Sequence, residues 1–108
     1  MEASVLCGEE YLDRIIVGGG GADMMDAVLA AVTKSAVLLT GLTTEQVLRT
    51  AKLAEVGAIV FVRGKKPEAS EISLAQTYEI PLLSTRYSLF VACGRLYMNG
   101  LRGLDGSW

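Results

Sequence analysis

Ser35-Ala36-Val37-Leu38-Leu39-Thr40 holds four consecutive apolar side chains and no charge. A strand with one wet face alternates apolar and polar residues; a strand covered on both faces reads as an unbroken apolar run of this length. The stretch therefore predicts a central strand of a parallel sheet, and the flanking segments fit that reading. Downstream, Thr43 and Gln46 have capping-box spacing, Val47, Ala51 and Ala54 fall on one helical face, and Gly57 supplies a left-handed stop. Ala58–Val62 is a second run of the buried type. Pro67 then opens a helix to about Tyr78, Pro81 breaks the chain before a short strand at Leu82–Ser84, and Thr85 caps a last helix from about Arg86 to Asn99, closed by Gly100.

Upstream, Ala3–Cys7 is a short β-like run. Asp13–Val17 is another, followed by the four glycines Gly18, Gly19, Gly20 and Gly21 as a corner, and then a helix from Ala22 to about Thr33. Val37, Ile59 and Leu82 lie 22 and 23 residues apart, each strand followed by a helix. That repetition implies parallel strands joined by right-handed crossovers. The expectation is an α/β fold: a single domain over residues 1–108, a mostly parallel sheet with helices on both faces, and residues 101–108 as a flexible tail.

Composition narrows the function classes. The 108 residues are 51% hydrophobic and 20% charged, with net charge −2. That balance gives no global attraction for nucleic acid or for an anionic membrane surface, and neither is expected as a partner. There is no histidine, and Cys7 and Cys93 form no CxxC pair. No metal site and no cofactor are expected, and the usual catalytic triads lack their base. The opening MEASVLCGEE has no basic, apolar leader pattern, and no run approaches the roughly 20 apolar residues of a membrane helix, so a cytoplasmic protein is expected.

Ligands of an open parallel sheet bind at the carboxyl ends of its strands. Four segments reach that edge: Gly18–Gly21 with Asp23; Thr40 and Gly41; Arg63, Gly64, Lys65 and Lys66; and Ser84 with Thr85. Glycine amides, helix N-termini, hydroxyls and cations on one rim would suit a small anion or nucleotide. Each segment also has a plainer reading. The glycines can be a turn capped by Asp23, the basic trio a solvated turn, and the hydroxyls strand ends or helix caps. GGGGAD carries Asp23 where a dinucleotide fingerprint needs its third glycine, and no GK[ST] follows a glycine loop. Asp23 and Asp26 could share a helical face, but no nucleophile stands beside a base. The helix at Ala22–Thr33, with Met24, Met25, Val28, Leu29 and Val32, is apolar nearly all round, and needs cover from a second subunit, making a homodimer, or from the C-terminal helix.

DRIIVGGGGADMMDAV, LLTG, IVFVRGKKP and IPLLSTRYSLFVACGRLYMNG, in this order, resemble the DRTGG domain family from about Glu10 to Gly100. The look is that of short free-standing members, and the strand ends are similar to the N-terminal domain of HPr kinase/phosphorylase. Asp13, Arg14, Gly18, Gly19, Asp23, Thr40, Gly64 and Pro67 match the family pattern. The letters DRTGG do not occur consecutively, and Gly20 and Gly21 stand where short members often carry larger residues. The resemblance implies an α/β regulatory or oligomerising module, of the kind that accompanies CBS domains in some pyrophosphatases. The P-loop kinase chemistry of HPr kinase resides in another domain and is not implied. The expected function is thus a non-catalytic, dimeric regulatory or interaction module, sensing a small anionic metabolite or nucleotide. The alternatives are an accessory protein docking on an iron-only hydrogenase or other redox enzyme as partner, and a small metal-dependent phosphotransferase using the glycines and Asp23.

Overall fold

Every side chain of Ala36–Thr40 is buried, on alternating sides of one sheet. The computed structural model describes residues 3–12, 16, 18–21 and 35–101. Within them lie β1 (Ser4–Cys7), β2 (Gly18–Gly21), β3 (Ala36–Thr40), α1 (Glu45–Ala54), β4 (Ala58–Phe61), α2 (Ala69–Tyr78), β5 (Leu82–Ser84) and α3 (Leu89–Met98). The sheet order is β1-β5-β4-β3-β2. β2 to β5 run parallel, and β1 pairs antiparallel with β5 at the far edge, Ser4 opposite Ser84. The mostly parallel α/β sheet is thus as expected.

The two-residue period of the strands sorts the core into two layers. Ala36, Leu38, Ile59, Phe61 and Leu82 point to one face and pack with Val47, Leu48 and Ala51 of α1 and Ala75 of α2. Val37, Leu39, Val60 and Val62 point to the other and meet Ala92 of α3, with Leu89, Cys93 and Leu96 partly buried beside them. Among the described residues helices therefore cover both faces, two on one side and one on the other. Among the described residues no helix is long and apolar enough to cross a membrane.

Local details correct several expectations. The glycines are not a corner: Gly18–Gly21 form the edge strand itself, paired in register with Ala36–Leu39. Glycine has no strand preference of its own, so its neighbour's backbone decides this conformation. α1 starts after Thr44 without a side-chain cap, and it stops at Glu55, which takes the left-handed conformation (φ 57°) ahead of Gly57. α2 starts at Ala69, and α3 is capped not by Thr85 but by Ser88, whose Oγ accepts from the Val91 amide at 3.2 Å. The helix expected at Ala22–Thr33, Asp13 and Arg14, and the tail past Leu101 lie outside the described residues.

The helix ends share one device. Val56 N donates to Ala51 O while Glu55 N donates to Lys52 O; Ile80 and Glu79 repeat this on Ala75 and Gln76, and Leu101 and Gly100 on Leu96 and Tyr97. These are Schellman closures, each followed by an apolar residue returning to the core. Only the third uses glycine at the left-handed position; the first two strain a glutamate there (φ 57° and 60°). A left-handed non-glycine residue costs about 1–2 kcal/mol, partly offset by the greater unfolded-state entropy of glycine. Glu55→Gly and Glu79→Gly should each raise unfolding free energy by about 0.5–1 kcal/mol, read by urea denaturation. Unchanged or lowered midpoints would refute the strain.

Candidate anion-binding cleft

The carboxyl edge of the sheet is closed by a tight turn after β4. Val62 O accepts from Lys65 N at 3.1 Å, and the central residues Arg63 and Gly64 both have positive φ, 58° and 69°. This is the backbone demand of a mirror-image β-turn, which glycine meets without strain. The turn is clamped to the loop after β5: Arg63 N donates to Tyr87 O at 2.8 Å, Gly64 N to Thr85 O at 2.7 Å, and Ser84 Oγ to Lys65 O at 2.9 Å. Thr85 Oγ1 accepts from Tyr87 N at 3.4 Å.

Between this clamp and the start of β1 opens a cleft of about 550 Å³, lined by Ala3, Ser4, Gly64, Lys66, Ser84, Thr85, Arg86 and Tyr87. Among the described residues its lining carries two cations, Lys66 and Arg86, and no acid. Tyr87 is half-buried, and its ring lies 5.2 Å from the Arg95 guanidinium, which fixes it as one wall. An anion entering here would meet side-chain cations. The Arg63, Gly64 and Lys65 amides are already engaged within the protein.

The residues expected at this rim divide into groups. Gly64, Ser84 and Thr85 line the cleft, while Arg63 and Lys65 are exposed on the same turn. Thr40 is fully buried: its Oγ1 accepts from Leu42 N at 3.1 Å, and its carbonyl receives Val62 N, so it braces the floor of the rim with Gly41 next to it. Asp23 lies outside the described residues. Lys66 belongs to the basic cluster read from the sequence; Arg86, Tyr87 and the β1 residues were not singled out. Arg86 and Tyr87 follow a strand end directly and were legible by position, whereas Ala3 and Ser4 arrive only through the antiparallel pairing of β1.

Gly19, Gly20 and Gly21 line a separate apolar cleft of about 260 Å³ with Leu39, Cys93, Leu96, Tyr97 and Leu101. The missing side chains let α3 come close. A Cβ on Gly21 would stand 2.7 Å from Leu89 Cδ1 and 3.2 Å from Cys93 Sγ; one on Gly19 would stand 2.9 Å from Leu101 Cδ2. Burial in this apolar seam holds the Cys93 thiol above its ordinary pKa, and burial does the same for Cys7, with the nearby Glu10 and Glu9 carboxylates adding to it. Among the described residues no group of three or more His, Cys, Asp or Glu side chains could hold a metal ion.

No family model and no curated protein matches this chain. Its fold resembles the crystal structure of the CBS and DRTGG domains of the regulatory region of Clostridium perfringens pyrophosphatase, solved with the activator diadenosine tetraphosphate. The TM-score is 0.71 at 17% identity, over 93% of this chain and 43% of that one. The likeness is one of fold. The chain spans less than half the length of that regulatory region.

Gly21→Val should push α3 off the sheet and cost about 1–3 kcal/mol, the usual range for overpacking. It should also speed the labelling of Cys93 by a disulfide reagent. In the wild type that labelling should be slow at pH 7 and still be rising at pH 9, because the thiolate reacts and burial keeps the thiol protonated. Equal labelling rates in the variant and the wild type would separate the glycine strand from α3 packing.

Proposed function

We propose that this chain is a non-catalytic, dimeric regulatory module that senses a small anionic metabolite or nucleotide at the carboxyl end of its sheet. One observation carries the reading: the cleft between the Val62–Lys65 turn and the Ser84–Tyr87 loop offers Lys66, Arg86 and an aromatic wall, with no acid among the described residues of its lining. Phosphate oxygens would take the cations, and a base or other flat group would lie toward Tyr87. Arg63 and Lys65, exposed on the same turn, add to the positive field. The likeness in fold to a regulatory region bound to a nucleotide activator supports this reading.

The same geometry supplies a way to report occupancy. Tyr87 sits one residue before Ser88, the cap of α3, and it is tied to the turn through its carbonyl and to Arg95 of α3 through its ring. A ligand that grips Arg86 pulls on the loop that begins α3. Binding of this kind shifts a population only by its differential affinity for the two arrangements.

Thermal melts of the wild type with inorganic phosphate, pyrophosphate and ATP test the reading. A ligand at ten times its Kd stabilises by about 1.4 kcal/mol, a rise on the order of 5 °C in Tm for a domain of this size. The rise should shrink at high salt and vanish in Lys66→Ala/Arg86→Ala, whose far-UV spectrum should match the wild type. A wild type that responds to none of the three, or a double variant that responds equally, overturns the site.

A further inference from the structure

We propose that the outer face of α3 is the contact surface of a two-fold dimer of this chain; the assignment rests on the dimeric reading above and gives that dimer its surface. α3 carries one charged residue, Arg95, in ten. Leu89, Cys93 and Leu96 pack with buried Ala92 onto the sheet. The opposite side presents Phe90, Val91, Gly94, Tyr97 and Met98, with Phe90 87% and Met98 85% exposed. A helix apolar on both sides calls for cover on both sides. Arg95, the charge that would oppose this, leans over the Tyr87 ring.

The stripe matches itself. Phe90, Gly94 and Met98 are spaced four apart on one side of the helix, spanning about 12 Å. At Gly94 a Cβ would meet nothing within 4 Å among the described residues, so the middle of the stripe is an open notch between two large flexible or aromatic groups. Two copies of α3 packed antiparallel about an axis at Gly94 would set Phe90 against the partner's Met98 and, by symmetry, Met98 against the partner's Phe90. Sulfur–aromatic contact and the removal of both side chains from water favour that pairing. Phe90, Val91, Tyr97 and Met98 together expose on the order of 500 Å², more than half of what each partner of a standard interface buries. That lies within the range of the largest apolar patch on a monomer, and such patches are often functional. Leu53, 79% exposed on α1, stands apart from this stripe and serves as a control.

Sedimentation and light scattering of the full chain over a dilution series decide the matter. The wild type should run at twice 11.5 kDa. Phe90→Glu and Gly94→Leu should each weaken the dimer at least about thirtyfold, as loss of a central anchor does, and Leu53→Glu should leave it unchanged. Gly94→Leu guards against mere misfolding, since its site is open and leucine favours the helix. A wild type that stays at 11.5 kDa overturns the dimer reading and this one together. A dimer that both variants leave intact overturns only the α3 assignment. A monomer destabilised by Gly94→Leu shows the stripe covered from within the chain, which also overturns it.

Discussion

The structure depends on β3 being dry on both faces and paired on both edges. Ala36, Leu38 and Leu39 are at most 1% exposed, and the backbone is bonded to Gly18–Gly21 on one side and to Ala58–Phe61 on the other. A buried backbone must satisfy its polar groups, and a parallel ladder does so without help from water. Once this strand is fixed, its side-chain period forces two cores. α1 and α2 fill one, and α3, returning from the last parallel strand, fills the other.

The rim follows from the same ladder. Strands in parallel bring Val62 and Ser84 to one edge, where backbone bonds lock turn to loop at 2.7 and 2.8 Å. The hydroxyls of Ser84, Thr85 and Thr40 serve this bracing. What is left to face a ligand is cationic and aromatic: Lys66, Arg86 and Tyr87. Tyr87 in turn leads into α3, so the proposed ligand cleft and the proposed dimer surface are joined by a single short loop.

Glycine acts here in two opposed ways. In β2 its lack of a side chain serves packing, admitting Leu89, Cys93 and Leu101 against the sheet edge. On the outer side of α3, Gly94 leaves space that nothing among the described residues fills within 4 Å. Both are apolar seams, yet the first is closed by this chain's own helix and the second faces outward.

The buried strands Ser35–Thr40 and Ala58–Val62, the spacing that alternates them with helices, and the resulting α/β class could all be read from residue order, because apolar periodicity is a local property of the chain. So could the end of the last helix at Gly100 and the basic turn at Arg63–Lys66. Tertiary structure alone decided that Gly18–Gly21 would be a strand, that β1 would run antiparallel beside β5 and bring Ser4 to the cleft, and that the glycines and the basic turn would line separate clefts. Strand pairing joins residues far apart in sequence, and glycine, which carries no side chain to signal its environment, takes the conformation that its neighbour's hydrogen bonds impose.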